Sequence, residues 1–318
     1  MTPKDIKHLG IIGAGMIGIT TAVLSTSHGV KTTVVDIFPD KIPEYQEKFD
    51  TFYKELVAKG IMTEEQVKIC SKYIAFTDKY EDLATCDFVF EASTEVIEIK
   101  HEIFAKLEEL CPDIKAIFSG SSTFVPDVLC EKATKYKDRI VVAHPFFPVH
   151  MIPYFEICAA STTDPKATQA VYDCLEALDR KPVVLKKPAP GFIGNRLQFA
   201  LWREVLYIME SGIADPRDID KCLNYSFCPR YSSIGMFEHF DNGGLKLNIT
   251  TCNGVWPTLG AYTEAPPAIT DRIARGDTGS KADSKIGFYD WNGVDMVAYQ
   301  ERVNAPYWKF IDWEFPAE

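Results

Sequence analysis

The sequence predicts an α/β fold: a doubly wound parallel sheet followed by a mainly α-helical C-terminal domain. Two observations carry the first half of that statement. Residues 9–36 run from a short apolar strand through a glycine turn and a helix into a second strand, and short apolar runs then alternate with helical stretches as far as residue 187. A third observation carries the second half. Lys186-Lys187-Pro188-Ala189-Pro190-Gly191 breaks the alternation, and beyond it helical patterns dominate. The expected domains are therefore 1–187 and 188–318.

Taken in order, Leu9-Gly10-Ile11-Ile12 has the length and composition of a fully buried strand. Met16–His28 is small and apolar and reads as a helix closed by Gly29, and Thr32–Asp36 is a β-branched strand. Strand, helix and strand at this spacing form a βαβ unit with a right-handed crossover. Residues 40–72 are charged and helical, with Gly60 separating two helices. Phe88–Ala92 and Ala116–Ser119 are buried strands on either side of the amphipathic helix Glu98–Leu110. Arg139–Ala143 and Tyr154–Ile157 are strands, Lys166–Leu178 is a helix, and Pro182–Leu185 is a strand. In the C-terminal part, Phe192–Ser211 is a long apolar helix and Pro216–Leu223 begins another after Asp215. Trp291, Trp308, Phe310, Trp313 and Phe315 crowd the tail, where such aromatics pack on their own domain or on a dimer partner.

Composition limits what this fold is used for. At 318 residues, 46% hydrophobic and 25% charged, the chain is too long for one ordinary domain and too apolar to be disordered. A net charge of −11 repels phosphate backbones and argues against nucleic-acid and anionic-membrane partners. No apolar run is long enough to cross a membrane. The nine cysteines, an odd number without a Cys-x-x-Cys pair, read as reduced thiols. Met1–Ile6 leads almost directly into a strand with no signal-like apolar region, so a cytoplasmic protein is expected. No metal site is expected: His144 and His150 have no clustered cysteine, and Cys222 with Cys228 lacks partners at zinc spacing.

Gly13-Ala14-Gly15-Met16-Ile17-Gly18 follows a strand and opens a helix. Gly13 suits the tight turn, Gly15 the close approach of a pyrophosphate, and Gly18 the packing of helix on strand. The helix N-terminus, starting at Met16 and Ile17, then offers free N–H groups and a positive dipole end to the phosphates. Asp36, at the end of the second strand, is placed to hydrogen-bond the ribose 2′-hydroxyl of NAD and to repel the 2′-phosphate of NADP. This part therefore reads as a Rossmann-type domain with NAD as cofactor.

A second constellation is His144-Pro145-Phe146-Phe147-Pro148-Val149 followed by Glu156. His144 ends one strand and Glu156 lies on the next after a tight loop. Neighbouring strands would bring them together as a carboxylate-oriented imidazole, a general acid/base pair. A lone histidine among prolines also has a plain structural reading.

These pieces, with Glu91-Ala92-Ser93-Thr94-Glu95 and Lys100, Ser119-Gly120-Ser121-Ser122-Thr123, Pro190-Gly191-Phe192-Ile193-Gly194-Asn195-Arg196 and Ile286-Gly287-Phe288-Tyr289-Asp290, resemble the 3-hydroxyacyl-CoA dehydrogenase family over nearly the whole chain. The resemblance implies that His144 is the general base, that Glu156 orients it, and that Asn195 and a hydroxyl at Ser122 or Thr123 contact the reacting oxygen. Counting from Pro126 favours Ser122; counting back from His144 gives Thr123. Glu95 and Lys100 join the glycine loop and Asp36 as implied cofactor contacts. By the same resemblance the chain forms a homodimer through its helical domain.

Within the family, two features point to the branch acting on free hydroxy or keto acids, which includes L-gulonate 3-dehydrogenase, the λ-crystallins and carnitine dehydrogenase. His144-Pro145 replaces the His-Phe-Phe-Asn-Pro of the CoA enzymes, and Arg230 stands just before Ile234-Gly235-Met236-Phe237-Glu238. A guanidinium there can grip a carboxylate through two parallel hydrogen bonds, or pair with an acid inside the helical domain. The expected activity is NAD-dependent oxidation of a secondary alcohol, or the reverse. Two alternatives are a 3-hydroxyacyl-CoA dehydrogenase and a non-catalytic, crystallin-like NAD-binding protein.

Overall fold

The computed structural model describes residues 1–316, with the side chains of Leu247 and Asn248 set aside. The chain divides into two compact units, Met1–Ile193 with Glu301–Glu318, and Gly194–Gln300.

The first unit is built on one eight-stranded sheet. Its strands are β1 (Leu9–Ile12), β2 (Thr32–Val35), β3 (Ile74–Thr77), β4 (Phe88–Glu91), β5 (Ala116–Ser119), β6 (Ile140–Pro145), β7 (Tyr154–Ala159) and β8 (Lys181–Val184), in the spatial order β3-β2-β1-β4-β5-β6-β7-β8. Neighbours run parallel except β6 and β7, which pair antiparallel across a short connection. The helices are α1 (Met16–Ser27), α2 (Ile42–Ala58), α3 (Glu64–Cys70), α4 (Ile97–Leu110), α5 (Pro126–Leu129) and α6 (Pro165–Ala177). Alternate strand residues feed two cores, so both faces of the sheet are covered. Leu9, Ile11, Phe90, Phe118, Val141 and Ala143 pack on the side of α1, α2 and α6. Ile12, Val89, Ile117 and Val142 pack with Ile103, Phe104 and Leu107 of α4. Strand order reverses at β1, between β2 and β4, and the crevice beyond the carboxyl ends of those strands is where such sheets take ligands.

Two elements go beyond the sequence reading. β3 is a partly exposed edge strand whose short apolar run, Ile74-Ala75-Phe76, follows closely on a helical stretch, and α5 is a single turn begun by Pro126.

The aromatic tail also departs from the expected division at residue 187. Ile311 and Trp313 are buried in the core beside α1 and α6, and Trp308 and Phe315 pack against it. Trp313 lies 5.2 Å from the His28 ring and 5.6 Å from the fully buried guanidinium of Arg180. The tail thus returns to the first unit because its large apolar rings find a core there.

The second unit is helical: α7 (Gly194–Glu210), α8 (Pro216–Tyr225), α9 (Met236–Gly243), α10 (Leu245–Val255) and α11 (Pro267–Arg275), with α12 (Met296–Asn304) carrying the chain out of it. Carboxylates join its segments, Glu204 accepting from the Gly260 N–H at 2.7 Å and Glu210 from that of Ala268 at 2.6 Å. Among the described residues, no helix is long and apolar enough to cross a membrane.

Candidate active site

The glycine turn after β1 is built as the spacing requires. Gly13 has φ +99°, and a Cβ on it would meet the Ala92 carbonyl oxygen at 2.5 Å; one on Gly18 would meet the Gly13 oxygen at 1.9 Å. Gly15 differs, since a Cβ there would point into open space. The room above Gly15 is the room a pyrophosphate needs. No side chain caps the N-terminus of α1, which begins at Met16 and Ile17, and no acidic residue stands in its first turn. Asp36 reaches back across this turn. Its carboxylate accepts from the Ala14 N–H at 2.8 Å and from the Tyr45 hydroxyl at 3.2 Å. Burial, with Asp36 beside it, pushes the Tyr45 phenol up to about 12, so it stays a donor. Residues 13–18 and Asp36 fit an NAD adenosine and its phosphates.

The antiparallel pairing of β6 and β7 sets His144 directly opposite Glu156. His144 Nδ1 lies 3.2 Å from Glu156 Oε2, and Nε2 lies 3.1 Å from the Ser122 hydroxyl. Glu156 is completely buried, and a carboxylate there accepts a ring proton on Nδ1, which leaves Nε2 directed at Ser122. The other Glu156 oxygen accepts from the Tyr154 hydroxyl at 3.2 Å and the Ile193 N–H at 2.7 Å. That N–H is aimed by a left-handed turn, Gly191 at φ +76° and Phe192 at φ +49°. Left-handed backbone is costly for a bulky residue, and here burial of the Phe192 ring 5.5 Å from the His144 ring offsets it.

Of the two candidate hydroxyls, Ser122 is the one at His144. Thr123 instead gives its N–H to Glu95 at 2.9 Å. Lys100, expected as a cofactor contact, is fully buried on α4, with its ammonium 2.9 and 3.0 Å from the Glu91 oxygens and 3.2 Å from Glu95. Burial pushes the Glu95 carboxyl up, but the Ser121 hydroxyl, the Lys100 charge and the Thr123 N–H together hold it below the usual range. From sequence, Glu91, Ser119 and Ser121 stood within the motifs that carry the resemblance and Tyr154 at the start of a strand, with no anchoring role assigned to any of them. Their signal was slight: polar groups at the ends of otherwise apolar strands.

Asn195 and Arg230 belong to the second unit, Asn195 in the first turn of α7. Arg230 is exposed, and one guanidinium nitrogen lies 2.7 Å from Nε2 of His239. It forms no ion pair among the described residues.

The sequence matches the 3-hydroxyacyl-CoA dehydrogenase NAD-binding domain over residues 8–188 and the C-terminal domain of that enzyme over 191–291. The chain belongs to the 3-hydroxyacyl-CoA dehydrogenase family. It is an NAD-dependent dehydrogenase of that family. An L-carnitine dehydrogenase of Pseudomonas putida is 30% identical over 76% of this chain and 74% of its own length. That of Mesorhizobium japonicum is 29% identical over 75% of this chain, a match spanning 65% of the relative. The 5-formyl-3-hydroxy-2-methylpyridine 4-carboxylate 5-dehydrogenase of M. japonicum is 26% identical over 89% of this chain and 91% of its own. A solved structure of an enzyme of that name, described as an NAD+-dependent dismutase, superimposes with a TM-score of 0.84 at 25% identity, covering 96% of each chain. The 3-hydroxybutyryl-CoA dehydrogenase of Escherichia coli shares the fold, with a TM-score of 0.74 over 91% of this chain and 60% of that one. The tail beyond residue 291 lies outside both family matches.

Proposed function

We propose that this family member oxidises the secondary alcohol of a small hydroxy acid, or reduces the keto acid, with His144 as general base and acid. The observation that carries the reading is His144 held between Glu156 and Ser122. The cofactor supplies a hydride acceptor at the nicotinamide ring. The remaining work falls to the chain. His144 Nε2 takes the hydroxyl proton as the hydride leaves. Glu156 fixes the tautomer through Nδ1 and stabilises the imidazolium that forms. Ser122 steadies the charge on the reacting oxygen. Asp36 selects NAD.

Arg230 supports the free acid over the CoA thioester. An exposed guanidinium without an internal carboxylate is available for one from the substrate, and the named substrates of both groups of relatives carry a carboxylate. The helical unit also supports a homodimer: α7 exposes Leu197, Phe199, Leu201 and Trp202, and further apolar side chains stand out on α9 and α10. A dimer in the cytoplasm is the expected state, checked by light scattering; a monomeric mass would remove the dimer from the reading.

The test is nicotinamide absorbance on a panel of L-carnitine, L-gulonate and 3-hydroxybutyrate, with 3-hydroxybutyryl-CoA alongside. Turnover of a free acid is expected, with the Michaelis constant for that acid rising roughly 30- to 1000-fold in Arg230→Met as one desolvated carboxylate pair is lost. Turnover of the thioester alone would move the substrate to the CoA branch, and no turnover with tight NAD binding would remove the activity.

A further inference from the structure

Glu95 lies in the segment between β4 and α4, and its carboxylate grips the loop after β5 on both sides of Ser122. Oε1 accepts from the Ser121 hydroxyl at 2.5 Å and from the Thr123 N–H at 2.9 Å. The residue before the proposed catalytic hydroxyl and the residue after it are therefore tied to one oxygen atom. Oε2 of Glu95 is anchored 3.2 Å from the buried Lys100 ammonium, which also holds Glu91. Glu91 in turn accepts from Ser119 at 2.5 Å, and the Ser119 hydroxyl accepts the Ser121 N–H at 3.2 Å. The Ser121 hydroxyl receives the Phe124 N–H at 2.9 Å. The chain from β4 through α4 to the β5 loop is thus a closed set of hydrogen bonds, charge-assisted at Glu91, Glu95 and Lys100. Such bonds hold geometry more firmly than neutral ones. At the centre of the loop, Ser122 has a short, exposed side chain, so its hydroxyl goes where the backbone carries it. Its hydroxyl meets His144 at 3.1 Å only while the backbone on both sides stays in place.

We propose that Glu95 is a positioning residue that fixes the Ser122 hydroxyl against His144, with Lys100 and Glu91 as its buried anchor. Lys100 on this reading serves the loop through its two carboxylate partners. Its ammonium has no exposed surface for a cofactor atom to touch, and both of its carboxylate partners lie within the network. The inference rests on the dehydrogenase reading for its catalytic consequence, but the clamp itself is a property of the fold.

The test uses the full chain saturated with NAD. Lys100→Met strands the Glu91 carboxylate in the core, so the substitutions are made at the exposed Glu95. In Glu95→Ala the Thr123 and Phe124 amides should exchange with deuterium at least roughly tenfold faster. Glu95→Gln keeps an acceptor oxygen and should restore most of the protection. On the panel substrate with the highest kcat/KM, kcat should fall roughly 10- to 100-fold in Glu95→Ala, with KM and the NAD Kd within about threefold, and recover in Glu95→Gln. In a Ser122→Ala background Glu95→Ala should cost no more than about twofold, because its effect passes through the missing hydroxyl. A tenfold rise in NAD Kd with kcat maintained would overturn the proposal in favour of a cofactor contact. Additive losses with Ser122→Ala would overturn it as well. If no panel compound is turned over, the dehydrogenase reading fails by itself, while unchanged amide exchange in Glu95→Ala would independently remove the clamp.

Discussion

The two units bury their side chains very differently. In the first, every residue of β1, β2, β4, β5 and β6 is buried and two cores cover both faces of the sheet. In the second, only Ile219, Gly260, Pro266 and Ala268 are buried among the described residues, while Trp202, Phe237, Leu245, Ile249 and Trp256 stand exposed. A sheet with helices on both faces completes its own core, whereas five short helices present more apolar surface than they can cover between them. The first unit thus buries its catalytic pair in a core of its own. The second leaves apolar side chains exposed, and a second copy of the chain is the occupant we propose for them.

The largest expected effect tests whether chemistry is confined to the first unit. His144→Gln keeps a hydrogen-bonding group but cannot cycle a proton, so kcat should fall roughly 10²- to 10⁴-fold while NAD affinity persists. A smaller loss would mean that another group moves the proton.

The next effect sharpens the boundary between the units. Trp313→Ala empties a site in the first unit's core and should cost about 3–5 kcal/mol. The damage should show in amide exchange of α1 and α6 rather than in the helices of the second unit. A loss confined to α7–α11 would assign the tail to the other unit.

Acid should also act on the first unit. Burial, helped by the Lys31 charge, lowers His8 to about 4, and burial with Arg180 lowers His150 to about 3, so both stay neutral in the folded chain. As pH falls below about 6.5 the unfolded chain takes up protons that the folded chain refuses, so stability is lost toward acid. By pH 4.5 each histidine should account for roughly 2–3 kcal/mol. Urea melts at pH 7 and 4.5 should show His150→Leu losing less between the two than the unaltered protein. Equal losses would mean that His150 is not a source of acid sensitivity.

The smallest effect concerns the cofactor loop. Asp36→Ala should narrow the preference for NAD over NADP by roughly one to two orders of magnitude, the cost of a like-charge contact in a partly wet site. An unaltered protein that uses both cofactors equally would contradict the role of Asp36.

Much of the first unit is legible because its signals are local. A four-residue apolar run must be buried, a glycine with φ +99° must turn, and strand periodicity carries His144 and Glu156 to matching positions on adjacent strands. The anchoring groups are less legible. Lys100 and Glu91 carry charges that sequence reasoning places on surfaces or cofactors, and only their mutual burial shows them bound to each other. Tyr154 looks like an ordinary strand aromatic until its hydroxyl is seen on Glu156. β3 escapes because its short Ile74-Ala75-Phe76 run follows closely on a charged helical stretch.

By itself, then, the sequence determined the α/β class, the dinucleotide turn and the pairing of an imidazole with a carboxylate, since each depends on neighbours in the chain or on strand periodicity. Two things were decided only by tertiary structure: which hydroxyl of the Ser121-Ser122-Thr123 run meets His144, and where the aromatic tail docks. Each depends on residues far apart in sequence meeting at distances of a few ångströms, which select one partner among several of equal chemistry.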